Sequence, residues 1–154
     1  MTGFVATAPS PDATEISSGD WYPSINLATA RTVMRIDATV TDDRLGECLS
    51  IAMAGVEDLL AIWQQAQVDL GYVTLADVPA KTIAGESRLV LLYRRAVYSS
   101  AQAELIERYR NFDTTAAGIR RADDLDTTVD DYRRNLRFAI RDILGRPRSD
   151  VELI

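Results

Sequence analysis

The chain has 154 residues, 47% of them apolar and 26% charged, which suits one globular domain and leaves no room for a second. Its formal charge of −6, from 17 basic and 23 acidic residues, opposes generic affinity for nucleic acid, which rests on phosphate neutralisation by Lys and Arg. Histidine is absent and Cys48 is the single cysteine, so Ser-His and Cys-His nucleophilic chemistry is excluded within one chain.

Residues 1–23 carry Gly3, Pro9, Pro11, Gly19 and Pro23, show no sustained period, and hold only acidic charges, Asp12, Glu15 and Asp20. They read as an extended N-terminal arm. Its aromatic anchors Phe4, Trp21 and Tyr22 are costly to leave in water at ~25 cal/mol per Å², so they should dock, either on the chain's own body or on a partner. The segment Met1 to Val5 lacks the basic and apolar regions of a secretory signal, and no apolar run reaches the ~18 residues of a membrane span. The expectation is synthesis in the cytosol and no membrane association.

Ser24 and Asn26, both good N-cap types, introduce a short helix over 26–35 whose inward face is Leu27, Ala30 and Met34. Thr41 caps a long helix over 42–70, with Asp42 and Asp43 in the first turn, where the helix dipole favours negative charge. Leu45, Leu49, Ala52, Val56, Leu59, Trp63, Ala66 and Leu70 form its heptad seam, and Gly71 ends it. Cys48 falls on the same apolar side and reads as a small core residue. Residues 72–85, with Pro79 and Gly85, read as a surface loop holding one short turn after Thr74 with Asp77 as its partner.

A third helix over 86–112 opens with Leu89, Val90, Leu91, Leu92 and Tyr93, apolar on every side and therefore central. Ala96, Ser99, Ser100, Ala101 and Ala103 let a neighbouring backbone approach, so this helix is either the centre of the bundle or a face toward another subunit. A fourth helix over 115–144 repeats Ala122, Leu125, Val129, Tyr132, Leu136, Ala139 or Ile140, and Ile143 at heptad spacing. Gly145 and Pro147 stop it, leaving Arg146 to Ile154 as a tail. The fold class is all-α: an antiparallel helical bundle of about four helices over 24–145, flanked by the N-terminal arm (1–23) and a C-terminal tail (146–154).

Asp123, Asp124, Asp126, Asp130 and Asp131 are the densest acidic cluster, but Leu125 and Val129 keep helical period through it, which is incompatible with an EF-hand loop. They read as a solvated helix face, with Asp130 placed to pair with Arg133 and Arg134. The basic residues are arginines except Lys81, and their doublets alternate with acids, which favours protein partners over a DNA-reading face. Neither GxGxxG nor GxxxxGK occurs, so no nucleotide cofactor is indicated, and no metal site is expected.

Particular strings go further than composition. Asp77-Val78-Pro79-Ala80, the run Thr82-Ile83-Ala84-Gly85-Glu86-Ser87-Arg88-Leu89-Val90, then Leu92-Tyr93-Arg94-Arg95-Ala96-Val97, and the C-terminal Gly145-Arg146-Pro147-Arg148 with Val151-Glu152-Leu153-Ile154 resemble the head completion protein, GpL family, of temperate phages with contractile tails. The resemblance runs from about Pro23 to the C-terminus. It implies a structural virion protein, not an enzyme, in the virion neck after residence in the host cytoplasm. Such a protein joins the portal vertex after DNA packaging, stabilises the filled head and presents a surface to a tail-side connector or tail terminator protein. It further implies a homo-oligomeric, dodecameric ring; with the net acidity of the chain multiplied around such a ring, a lumen lined by acids would let packaged DNA pass without specific binding.

In that setting Arg146, Arg148, Val151, Leu153 and Ile154 form a hook for the portal or a neighbouring copy, and Gly85, Glu86 and Arg88 fix the loop that starts the third helix. The alternative is a small cytosolic helical regulator that binds DNA or protein, although the long heptad helices leave no short recognition helix. A metal-dependent enzyme built on the aspartates near 123–131 has the weakest support.

Overall fold

The structure, a computed structural model, describes residues 15–110 and 116–147. In chain order the elements are β1 (Glu15–Ile16), β2 (Ile25–Asn26), α1 (Leu27–Val33), α2 (Asp42–Asp69), a 3-10 turn (Leu75–Asp77), β3 (Thr82–Ile83), β4 (Glu86–Ser87), α3 (Arg88–Arg110) and α4 (Ala116–Ile143). The helical bundle is as expected, with helix ends that differ by a residue or two. The two antiparallel strand pairs are new, because strands of two residues are too short to carry a period.

The helix starts follow their caps: Asn26 accepts from the Thr29 amide at 2.9 Å, and Thr41 accepts from the Arg44 amide at 3.4 Å. Arg31 reaches from α1 to Asp42 at 2.6 Å and so ties the end of one helix to the start of the next. The chain leaves α1 through Arg35, at φ 56°, with the Ile36 amide donating to the Arg31 carbonyl at 3.0 Å. An arginine thus occupies the left-handed position that glycine usually fills in this C-terminal motif.

α3 is the central helix, which resolves the choice left open by its small residues. It runs antiparallel to α2, as the pairs Tyr93 with Glu57 and Arg108 with Glu47 require. It also runs antiparallel to α4, through Arg88 with Asp142, Arg95 with Asn135 and Gln102 with Tyr132. Tyr93, Ala96, Val97 and Ala101 are wholly buried along it. α4 lies along α3 and meets α2 over only a short stretch.

The heptad seam of α2 holds for Leu45, Leu49, Ala52 and Val56, keeps Trp63 partly buried against the core, and fails at Leu59, Ala66 and Leu70. Leu59 is 59% and Leu70 71% exposed, while Met53 and Leu60 are buried instead. Ala52 and Leu70 lie about five whole turns apart and so share one angle around the helix, yet only Ala52 is buried; the spacing is intact, and Leu70 is exposed because neighbouring elements no longer cover the second half of α2, which α4 meets over only a short stretch. On α4, Val129, Ala139, Ile140 and Ile143 are buried, whereas the Ala122 and Leu125 side chains lie outside the described residues.

Two further expectations change. Residues 72–85 are not purely a surface loop, because Leu75 and Val78 are core residues. The Thr74–Asp77 turn forms as expected, with the Thr74 amide and hydroxyl both donating to Asp77 at 2.9 and 2.7 Å. Asp130 does not pair with either neighbouring arginine: Arg134 binds Asp131 at 2.8 Å, and Arg133 crosses to Glu107 on α3. The interhelical carboxylate takes the arginine that i,i+3 spacing alone assigned to Asp130. Cys48 is buried, as its place on the apolar side of α2 implied, and burial pushes its thiol above the ordinary range.

Candidate interaction surfaces

Three features outside the plain bundle could carry function. The first is the N-terminal strap from Glu15 to Asn26, closed by β1 and β2. Trp21 meets Tyr22 and Trp63 edge-on, with ring centroids 4.7 and 6.0 Å away, and its indole donates to the Tyr72 carbonyl at 3.3 Å. The Leu75 amide donates to the Trp21 carbonyl at 2.8 Å. Trp21 and Tyr22 therefore dock on the chain's own body, while Phe4 lies outside the described residues.

Beneath the strap Tyr22 stacks on Tyr93, and the Tyr93 hydroxyl donates to Glu57 at 2.6 Å. Ser18 donates to the same Glu57 oxygen. Burial first, and then the Glu57 charge, push the Tyr22 phenol well above its ordinary range. Tyr93 is raised in the same way, with the Glu57 hydrogen bond ranking after burial. These groups stay neutral, so the cluster is a latch rather than acid-base machinery.

The second feature is the hairpin of β3 and β4, in register Thr82 with Ser87 and Ile83 with Glu86. Ala84 at φ 51° and Gly85 at φ 82° form its two-residue turn, in the paired left-handed conformation that suits the strand twist. Glu86 binds Arg94 at 2.8 Å and Arg88 lies 3.6 Å from Asp142 of α4. The Leu89 amide donates to the Ser87 hydroxyl at 3.3 Å. Gly85 thus forms the hairpin turn just before α3, while Glu86 and Arg88 carry ion pairs to α3 and α4.

The third feature is a groove of about 700 Å³ between the second half of α2 and the end of α4. It exists because α4 follows α3 and diverges from α2. Leu59, Ile62, Trp63, Leu136 and Ile140 line it, and its rim carries Arg137, Arg141 and Arg146. Ile62 is 91% exposed. Of the predicted hook only Arg146 is described, and it lies on this rim; Arg148, Val151, Leu153 and Ile154 fall outside the described residues.

Sequence reasoning placed Leu59 and Leu70 in the core and passed over Ile62, Arg137 and Arg141 as surface features. The available signal was Ile51, Ile62, Val68 and Val73, apolar residues that fit no position of the seam and are exposed in the fold. Among the described residues no group of His, Cys, Asp and Glu could hold a metal, and no helix is long and apolar enough to cross a membrane.

A helical body with an exposed apolar groove is suited to contact with other proteins. The chain belongs to the phage head completion protein (GPL) family, whose model matches residues 16–154. It is 38% identical over 150 residues to the head completion/stabilization protein of Escherichia phage P2, across 97% of this chain and 89% of that protein. No solved structure matches it. The protein is accordingly a structural component of the phage virion that serves head completion, not an enzyme.

Proposed function

We propose that the chain is the head-to-tail adaptor of the virion neck, binding the portal vertex after packaging, stabilising the filled head and offering the surface to which the tail attaches. The observation that carries this reading is the exposed apolar stripe of α2 running into the α2–α4 groove, with Leu59, Ile62 and Leu70 at 59%, 91% and 71% exposure. A stripe of this kind on an otherwise acidic protein is suited to burial against another protein.

Copies would close a dodecameric ring through head-to-tail, heterologous contacts, one patch of each chain meeting a different patch of the next. Arg146, Arg148, Val151, Leu153 and Ile154 supply the portable hook for the portal or an adjacent copy, and a tail-side connector or tail terminator protein would bind the opposite face. The net charge of −6 per chain, multiplied around a ring, would let DNA pass through the lumen without sticking.

The direct test mixes the purified protein with isolated portal and images the product by electron microscopy. Rings seated on portal are the expected result. A chain that ignores portal but shifts DNA in a gel would overturn the proposal in favour of a regulator.

A further inference from the structure

We infer that before assembly the last seven residues of the C-terminal tail, 148–154, are stored in the α2–α4 groove of their own chain. Three observations converge on this occupant. The rim arginines Arg137, Arg141 and Arg146 make no ion pair among the described residues, although the chain as a whole is acidic. The groove therefore selects a ligand that is apolar on one side and acidic on the other. The tail sequence Asp150-Val151-Glu152-Leu153 has that pattern, since an extended strand turns Val151 and Leu153 to one side and Asp150 and Glu152 to the other.

Position and length agree with the chemistry. α4 is closed by Gly145 at φ 65°, with the Arg146 amide donating to the Arg141 carbonyl at 2.9 Å, so the chain has begun to reverse where Arg146 reaches the rim. From Leu136 to Leu144 the groove follows about 12 Å of helix at the usual rise per residue. Seven extended residues span ~23 Å, enough to turn after Pro147 and still run the groove's length. Because α2 and α4 are each antiparallel to α3, they run in the same direction, and the tip of the tail falls at the end formed by Leu59 and Leu136.

Attachment decides between the chain's own tail and a neighbour's. A short linker presents the tail at an effective concentration of about millimolar, far above that of other copies in dilute solution. Storage covers Leu59 and Ile62, and it keeps hook and groove unavailable together until a partner displaces the tail. The inference concerns the free chain and does not depend on which virion component the hook later meets.

The experiment uses the full, isotope-labelled chain carrying Cys48→Ala and Ile154→Cys, with a nitroxide on the new thiol. Selective loss of the Leu59 and Ile62 amide signals is expected, and so is their recovery in the Arg137→Glu, Arg141→Glu variant. A mixture of tagged unlabelled chain with untagged labelled chain should show no loss. Loss in that mixture would assign the groove to a neighbour's tail and overturn the inference, as would signals that stay intact or fade evenly over the surface. Portal binding is measured separately, so failure of the adaptor reading leaves these signals unaffected.

Discussion

Tyr22 and Tyr93 lie stacked, with ring centroids 4.7 Å apart and planes at 15°, yet only the Tyr93 hydroxyl has an acceptor, Glu57, while that of Tyr22 is buried without a partner among the described residues. The rings pin the N-terminal strap to the bundle through apolar contact, and the strap carries one unsatisfied polar atom as a consequence. An unpaired buried hydroxyl costs roughly 1–3 kcal/mol, whereas a hydrogen bond to a charged group such as the Glu57 carboxylate contributes roughly 1.5–3 kcal/mol net.

Substitution should separate the two rings. Tyr22→Phe keeps the stack and removes the orphaned hydroxyl, so urea unfolding should show unchanged or higher stability, by up to about 1 kcal/mol. Tyr93→Phe should lower stability by roughly 1.5–3 kcal/mol through loss of the bond to the Glu57 carboxylate. A destabilised Tyr22→Phe would mean that its hydroxyl has a partner after all.

Alkaline pH should loosen the same latch. Burial raises the folded-state pKa of Tyr22 and Tyr93 above the unfolded value of about 10, so above that pH the unfolded chain gives up protons first. Stability is then fully present below about pH 10 and falls beyond it, by up to ~1.4 kcal/mol per pH unit for each tyrosine. Unfolding curves between neutral pH and pH 11 would test this, and the double Phe variant should have the flatter profile.

Arg35 sits at φ 56°, exposed, with its amide donating to the Thr32 carbonyl at 3.2 Å. Left-handed backbone costs a residue bearing a Cβ about 1–2 kcal/mol, and glycine avoids it at the expense of a more flexible unfolded chain. Arg35→Gly should therefore stabilise the protein by roughly 0.5–1 kcal/mol in denaturant titrations. A loss of stability would indicate that the arginine side chain contributes contacts of its own.

Truncation after Pro147 spares the helix-closing bond from the Arg146 amide to the Arg141 carbonyl and removes only the tail. The helical circular-dichroism signal should be unchanged, while attachment to filled heads should be lost. Normal attachment would count against residues 148–154 as the hook.

Much of this protein was legible along the chain because its signals are local. Asn26 and Thr41 cap helices by hydrogen bonds within one turn, Thr74 and Asp77 close a turn three residues long, and Leu45 to Val56 keep one face over three turns. The strings around Gly85, Glu86 and Arg88 and at the C-terminus carried the family. Other properties depend on where separate elements meet. The divergence of α4 from α2 leaves Leu59 outside the core and opens the groove under Arg137 and Arg141, and no periodicity within α2 alone contains that divergence. The strap is similar: Trp21 and Tyr22 read as anchors, but only packing against Trp63, Tyr72 and Tyr93 determined that they hold this chain to itself. Local hydrogen bonds and periodicity thus wrote the helices and their ends into the sequence, whereas the choice of which apolar residues remain exposed was made by the tertiary structure, because burial depends on neighbours distant along the chain.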